Sequence, residues 1–260
     1  MAQPVDVPAG PSVDVLEVDL GPGVRAGFTR RRGGVSRGAW EGLNLGLHVE
    51  DARADVLANR RLVERWAGMP VWYPHQVHGR AVAVLDVPPS PAEALGSGAD
   101  GAECDAAVTD VPGHAVAVVV ADCVPVLLAD AGAGVVAAAH AGRPGLLAGV
   151  LEATVAAMAA RGARPGAVRA VLGPSAGPCC YEVPAAMRDD AAARIPATAA
   201  TTRAGTPAID LRAGCAAVLA AAGVEDVTTV GGCTIDDEGL YSYRRAKVTG
   251  RFGGVVGLAP

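Results

Sequence analysis

Three side chains of this chain combine metal-binding chemistry with positions in or beside apolar segments. His78 lies in PHQVHG beside a predicted turn, Cys123 lies in ADCVPV, and His140 ends a predicted strand within AAAHAG. A single buried histidine or cysteine most often fills a core. Cys123 and His140, however, occupy two consecutive strand segments joined by a short turn, so pairing of these strands would bring them close together. His78 would complete a Cys-His-His set.

Such a set has two chemical interpretations. Three protein ligands with an open fourth position are typical of catalytic zinc, whereas structural zinc sites use four ligands. The same ligands are the equatorial set of blue copper, so ligand type alone does not choose between zinc and copper. A bound zinc ion would activate a water molecule or polarise a substrate oxygen.

The segment after His140 predicts an anion site. Gly142-Arg143-Pro144-Gly145 leads into a helix, and Pro144 suits the first helical turn. Free N–H groups at a helix start, with an arginine beside them, attract anions such as phosphate. The alternative is an ordinary turn between a strand and a helix that binds no ligand.

Other motifs resemble the active sites of hydrolases and deaminases, but their sequence context argues against those functions. Ser36 in GVSRG comes too early for the nucleophile elbow of a hydrolase, and no histidine follows Ser175 in GPSAG. The pair Cys179–Cys180 is interpreted as structural or pocket thiols rather than as a disulfide. The combined H-x-E and P-C-x-x-C signature of nucleoside deaminases is absent.

Apolar periodicity predicts alternating strands and helices. Helices are expected from an Asp51 N-cap to Gly68, from Leu147 to just before Gly162, and in two later segments, the second capped by Asp210. A polar surface loop is expected over 196–207, and residues 1–12 and 87–97 are expected to be mobile. Strands are expected around 81–85, 106–109, 115–128, 134–139, 168–172 and 254–258.

The strand segments are continuously apolar, which indicates sheets buried on both faces in an α/β or layered α+β fold. We expect a single domain over residues 1–260. The composition is globular, with 51% hydrophobic and 19% charged residues. The longest apolar stretch, 115–129, is too short to span a membrane and contains Asp122 and Pro125.

Charge and cysteine content bear on partners and location. The formal net charge of −5 argues against a nucleic-acid partner, because nucleic-acid-binding domains are usually basic. The N-terminal segment has neither the basic nor the apolar region of a secretory signal. Six cysteines in such a chain favour reduced thiols and a cytoplasmic location.

Several segments together resemble the YfiH-type family, which is also called the laccase-domain or multicopper polyphenol oxidase family. The matching segments run in order from about residue 24 to residue 258, over nearly the whole chain. They are FTRRRGGVSRGAWEGLNLGLHVED, HQVHG, CDAAVTDVPG, VVADCVPVLLAD, VVAAAHAG, LGPSAGPCCYEV, GGCT, YSYRR and TGRFGGVVGL.

This resemblance implies a fold, a metal and a reaction. The fold would be an α/β/β/α four-layer sandwich with mixed sheets. His78, Cys123 and His140 match the zinc ligands of the family. The implied activity is phosphorolysis of adenosine, inosine and methylthioadenosine, which releases the base and ribose 1-phosphate, with adenosine deamination as a side activity.

The resemblance also suggests roles for residues around the metal. Asp122 or Asp105 would transfer a proton to the departing base. Independently of the resemblance, Arg143 and the start of the helix would share the negative charge of phosphate. The other expected pocket residues are Ser36, Asn44, Cys179, Cys180 and Arg245.

One segment departs from the family pattern, and two other functions stay open. The family usually reads HAGWRG, whereas this chain reads HAGRPG, with Arg143 at the tryptophan position and Pro144 at the arginine position. A copper polyphenol oxidase is the first alternative, although five histidines without an HxH pair do not suffice for a four-copper laccase. Editing of cell-wall precursors is the second alternative.

Overall fold

A computed structural model of the chain describes residues 12–87 and 103–260. The mobile segments expected over 1–12 and 87–97 therefore lie outside the described residues, apart from Ser12 and Val87. No helix among the described residues is both long enough and apolar enough to cross a lipid bilayer.

The described residues form thirteen strands and five α-helices. The helices are α1 (Arg53–Ala67), α2 (Arg143–Ala148), α3 (Val150–Ala160), α4 (Ala185–Arg194) and α5 (Leu211–Ala221). The strands are β1 (Val13–Glu17), β2 (Val24–Gly33), β3 (Val71–Trp72), β4 (Val82–Leu85), β5 (Ala106–Thr109), β6 (His114–Val120), β7 (Val124–Asp130), β8 (Val135–Ala141), β9 (Arg169–Leu172), β10 (Ala199–Thr201), β11 (Pro207–Ile209), β12 (Asp226–Thr229) and β13 (Phe252–Leu258).

Two mixed sheets form the centre of the molecule. One has the strand order β1-β2-β13-β6-β3, and the other has the order β12-β9-β7-β8-β5-β4. Most neighbouring strands are antiparallel, whereas β3–β6, β4–β5 and β9–β12 are parallel. A separate two-stranded ribbon consists of β10 and β11.

Each sheet is buried on both faces, because one face packs against the other sheet and the opposite face against helices. Leu127 and Val116 belong to the apolar layer between the sheets, whereas Leu128 belongs to the layer that packs against α3 and α5. Helix α1 covers the outer face of the first sheet through Leu62 and Val63. The α/β/β/α arrangement with mixed sheets is therefore confirmed.

The structure corrects the prediction of a single strand segment over 115–128. This segment is divided between β6 in the first sheet and β7 in the second, and the chain changes sheets at 121–123. Asp122 has a φ of 96°, which an L-residue adopts only under constraint. Cys123 therefore precedes β7 rather than lying inside a strand.

Three further element predictions need correction. The helix predicted from Leu147 is broken into α2 and α3 at Gly149, whose φ of 93° is in the left-handed region. Residues 196–207, expected to be a loop, contain a 3₁₀ turn, β10 and the start of β11. Ala52 rather than Asp51 is the N-cap of α1, because the Asp51 carboxylate binds side chains outside the helix.

The four-layer arrangement predicts the stability of two neighbouring variants. Leu127→Ala and Leu128→Ala remove fully buried side chains from opposite faces of β7, so each should lower the free energy of unfolding by about 2–5 kcal/mol. Val84→Ala, at an exposed position of β4, should change it by less than about 0.5 kcal/mol. Chemical denaturation measures all three values. A large loss for only one of the two leucines would contradict burial on both faces of the sheet.

Candidate metal site and cavity

The loop that carries His78 is folded around a buried carboxylate. His78 has a φ of 60°, an uncommon conformation for a non-glycine residue. As a result, the N–H groups of Val77, His78 and Gly79 all donate to the Asp105 carboxylate, at 3.2, 2.9 and 2.6 Å. Successive N–H groups in such a concave arrangement bind an anion, and here the anion belongs to the protein itself.

The same carboxylate orients His140. This histidine is the penultimate residue of β8, and its Nδ1 lies 2.8 Å from Asp105 Oδ1. The His140 backbone N–H also donates to the Asp105 carbonyl, at 2.7 Å. A carboxylate on one ring nitrogen fixes the ring orientation and leaves the other nitrogen for a metal.

Asp105 is fully buried and remains a carboxylate. Burial alone raises the pKa of Asp105, but the hydrogen bond and charge of His140 and the N–H groups of the His78 loop outweigh burial and lower the pKa. Both of its oxygens are hydrogen-bonded, Oδ1 to the His78 N–H and His140 Nδ1, and Oδ2 to the N–H groups of Val77 and Gly79. This geometry favours positioning of the two histidines over the proton transfer expected from the sequence.

Cys123 lies next to the two histidines, directly before β7, where the chain enters the second sheet. Its Sγ lies 3.7 Å from His78 Nε2, and the two imidazole ring centroids are 4.7 Å apart. The register of β7 with β8, in which Pro125 opposes His140, brings Cys123 to the end of β8. One donor atom from each of the three side chains lies within 4.8 Å of the others.

The protonation of this group favours metal binding. Burial raises the pKa of Cys123, but the charge of His140 and the hydrogen bonds from His140 and His78 outweigh it and lower the pKa to about 6. A thiolate is the form of cysteine that binds metal. Tetrahedral zinc, with ligands at about 2.0–2.3 Å, needs donor atoms roughly 3.3–3.7 Å apart, so only a small contraction of the group would be needed.

Two glycines leave room for this group. A Cβ atom at Gly142 would lie 2.8 Å from His78 Cδ2 and 3.0 Å from Cys123 Sγ. A Cβ atom at Gly145 would lie 2.8 Å from the Gly79 carbonyl oxygen. The close approach of the His140 strand to the His78 loop therefore depends on residues without side chains.

The donor group opens into a cavity of about 460 Å³, which is within the usual range for small-molecule sites. Cationic, aromatic and amide side chains surround it. Its lining residues are His48, Gln76, His78, Val119, Val120, Ala121, Asp122, Cys123, His140, Arg143, Tyr181, Leu211, Tyr243, Arg244 and Arg251.

Three arginines give the cavity a positive wall. Arg244 lies over the Tyr181 ring, 4.5 Å from its centroid, and donates to the Glu182 carbonyl. Arg251 is bound to the carbonyls of Thr249 and Gly250, and burial lowers its pKa. Among the described residues, none forms a hydrogen bond or an ion pair with the Arg143 guanidinium, which leaves it free for an anionic ligand.

Asp122 lines the cavity, but its carboxylate is occupied. Oδ1 accepts a hydrogen bond from Thr234 Oγ1 at 2.6 Å, and Oδ2 accepts one from the backbone N–H of Arg244 at 2.7 Å. These bonds connect the junction between the sheets to the C-terminal loop that carries Tyr243 and Arg244.

The structure does not bring Ser36, Asn44 and Arg245 to this cavity. Ser36 and Asn44 both donate to the Asp51 carboxylate, at 2.6 and 2.8 Å, within a buried polar network. Ser36 also borders a separate, open cavity of about 850 Å³. Arg245 donates to carbonyls of the 234–240 loop and thereby stabilises that loop.

Sequence reasoning missed several residues that line the cavity. The segments that resemble the family contain all of them except Leu211. From YSYRR the sequence predicts only Arg245, whereas its neighbours Tyr243 and Arg244 lie in the cavity wall. His48 was also missed. Burial, together with Arg251 and Arg60, lowers the pKa of His48 to about 4, so its imidazole is neutral near pH 7 and offers one donor and one acceptor.

Cys179 and Cys180 lie outside the cavity lining, next to Tyr181. They approach Cys233 and Asp236 instead. Burial raises the pKa of both Cys179 and Cys180. Burial also acts to raise the pKa of Cys233, but the N–H groups of Gly177, Ile235 and Asp236 outweigh it and lower the pKa.

Two mixed sheets between helices, with a Cys-His-His group that opens into a cavity, define an α/β protein with a candidate metal site. The family model described as multi-copper polyphenol oxidoreductase laccase matches residues 25–259. The chain belongs to this family, as the motifs around His78, Cys123 and His140 indicated.

Similar proteins carry the name purine nucleoside phosphorylase. The one from Streptomyces griseus is 48% identical over 235 residues, which are 89% of this chain and 93% of that protein. The one from Mycobacterium tuberculosis is 44% identical over 237 residues, 90% of this chain and 91% of that protein.

Solved structures share the fold. A crystal structure of a Neisseria meningitidis protein superimposes with a TM-score of 0.83 at 38% identity, over 95% of this chain and all of that chain. YlmD from Geobacillus stearothermophilus superimposes with a TM-score of 0.82 at 32% identity, over 92% and 93% of the two chains.

Because the His78 loop and His140 both bind the Asp105 carboxylate, we expect a near-isosteric substitution of Asp105 to weaken metal binding. Asp105→Asn keeps the volume but loses negative charge and replaces an acceptor with an N–H₂ donor, which cannot serve the N–H groups of the His78 loop. Zinc affinity should fall by about 10–100-fold, as measured by chelator competition. Asp189→Asn, on the exposed face of α4, should leave the affinity unchanged. Equal zinc affinity in the two variants would contradict the positioning role of Asp105.

Proposed function

We propose that this chain is a zinc-dependent purine nucleoside phosphorylase that converts adenosine, inosine or methylthioadenosine and phosphate into the free base and ribose 1-phosphate. One observation carries the proposal. A Cys-His-His donor group, three arginines and two tyrosines converge on one cavity. The relatives that carry the name purine nucleoside phosphorylase support the same conclusion. Adenosine deamination is a proposed side activity.

In this proposal, His78, Cys123 and His140 hold the zinc ion. When bound there, zinc supplies a Lewis acid that polarises an oxygen of phosphate or ribose. Asp105 holds the His140 ring and the backbone of the His78 loop in place, which limits reorganisation during the reaction.

The arginines bind and orient phosphate. Arg143 lies beside the ligand group with no protein partner among the described residues, so its guanidinium can bind two phosphate oxygens. Arg244 and Arg251 add further positive charge to the cavity wall. In the reaction, a phosphate oxygen forms a bond to C1′ while the bond from C1′ to the base nitrogen breaks, and the bonding electrons leave with the base.

The departing purine needs an apolar surface and a proton. Tyr181 and Tyr243 line the cavity and offer aromatic faces to the base. Of the two aspartates, Asp122 is the one that borders the cavity, and each of its oxygens accepts one hydrogen bond and keeps a second lone pair, so it is the candidate for proton transfer. Asp105 does not line the cavity and acts as a positioning residue for His78 and His140.

Copper oxidation of phenols is the second candidate because a His₂Cys group also suits copper. The chain has five histidines in total, and the described donor group contains two of them. A four-copper centre needs many more histidines. Metal analysis of protein purified without added copper, with oxygen uptake on a phenol, separates the two candidates. Stoichiometric copper with oxygen uptake would contradict the phosphorylase.

The thiolate of Cys123 provides the direct test of the metal site. Cys123→Ala should lose the zinc bound there and should stop phosphate-dependent release of hypoxanthine from inosine, while the thermal midpoint changes by only a few degrees, because a chain of this size folds without the metal. Cys215→Ala, which removes a buried thiol on α5, should retain both zinc and activity. Undiminished zinc and turnover in Cys123→Ala would contradict the assignment.

Arg143 provides a test of phosphate binding at the position where this chain departs from the family pattern. Arg143→Ala should raise the KM for phosphate by about 10–100-fold, because a charged hydrogen bond is worth roughly 1.5–3 kcal/mol. The KM for inosine should change little. Arg194→Ala, at the exposed end of α4, is the matched control. An unchanged KM for phosphate would show that the anion binds elsewhere.

A further inference from the structure

A second cluster of metal-binding side chains lies outside the cavity. Cys179 and Cys180 come from the turn before Tyr181, and Cys233 and Asp236 come from the loop after β12. One donor atom from each of the four lies within 4.8 Å of the others. The proposed reaction uses none of them.

The three thiols are free rather than paired in a disulfide. The Sγ atoms of Cys179 and Cys180 are 2.9 Å apart, beyond the S–S bond length of about 2.05 Å, and binding to one zinc ion would move them apart to roughly 3.7 Å. Cys233 Sγ accepts the Gly177 N–H at 3.2 Å, a contact that stabilises a thiolate. Thiolates are the form in which cysteine binds metal.

The carboxylate completes the cluster and is itself held in place. Asp236 Oδ1 lies 3.4 Å from Cys180 Sγ, and Oδ2 lies 3.9 Å from Cys179 Sγ. Arg203 donates to Oδ2 at 2.7 Å. Hydrogen bonds of this kind orient the carboxylate ligands of metal sites.

We propose that Cys179, Cys180, Cys233 and Asp236 bind one structural zinc ion. Soft thiolate ligands select zinc among the common divalent metals, and four protein ligands make the closed site typical of structural zinc. Three thiolates and a carboxylate carry more negative charge than one ion neutralises. Arg203 offsets part of the excess, as does Arg212, whose guanidinium donates to the carbonyls of Gly231 and Gly232 beside Cys233.

Such an ion would stabilise the wall of the cavity. It would tie the turn before Tyr181 to the loop that contains Thr234. Tyr181 lines the cavity, and Thr234 donates to Asp122 next to Cys123. The second site therefore has a structural role, and its ligands need not touch a substrate.

Zinc stoichiometry tests the proposal. Wild-type protein and Cys215→Ala should each bind two zinc ions per chain. Cys123→Ala and the double variant Cys180→Ser/Cys233→Ser should each bind one, and the three substitutions together should abolish binding. A single ion in the wild type that disappears in Cys123→Ala would overturn the second site.

Cobalt titration of Cys123→Ala provides a test that does not require the double variant to fold. This protein should bind one Co²⁺ ion with the intense near-ultraviolet charge-transfer band of several thiolates. No such band, or a disulfide detected as the loss of two hydrogen masses in place of the second ion, would overturn the proposal. A wild type with two zinc ions and no phosphorolysis would contradict the proposed function but would leave this site in place.

Discussion

The buried carboxylate of Asp105 connects two elements that reach the metal site from different parts of the chain. It accepts three successive N–H groups from the His78 loop and the Nδ1 of His140 at the end of β8. Without its charge, the left-handed conformation of His78 would lose the interaction that offsets its strain. Hydrogen bonds to this carboxylate thus determine where two of the three candidate ligands lie. Its burial keeps water from competing for those bonds.

The third ligand depends on the way the two sheets are connected. The chain leaves β6 of one sheet and enters β7 of the other through Asp122 and Cys123, so the junction between the layers carries the thiol. The bonds of Asp122 to Thr234 and Arg244 attach the C-terminal loop to this junction. The proposed second zinc site would add a further tie to the loop that contains Thr234. The candidate metal ligands, the arginines of the cavity and the C-terminal loop are therefore connected through this junction.

The sequence predicted most helices and strands and the three candidate metal ligands, because each of these depends on a short local pattern. Apolar segments specified the buried strands, and short motifs specified His78, Cys123 and His140. Pocket residues were harder to predict because they depend on long-range packing. Ser36 and Asn44 lie in a recognisable motif, but their partner is Asp51, and Arg245 points away from the cavity whereas Arg244 lines it. The sequence does not reveal that the chain changes sheets at Asp122, because this residue lies within a continuous apolar segment.

The most direct measurement is an anomalous difference map at the zinc absorption edge, from crystals grown with phosphate and an unreactive inosine analogue. The account predicts a strong peak bound by His78 Nε2, Cys123 Sγ and the Nε2 of His140, with phosphate between that peak and Arg143. It also predicts the purine against Tyr181 and Tyr243 in the same cavity. A map without a metal peak at these three side chains would contradict the account, as would phosphate and nucleoside bound in the open cavity beside Ser36.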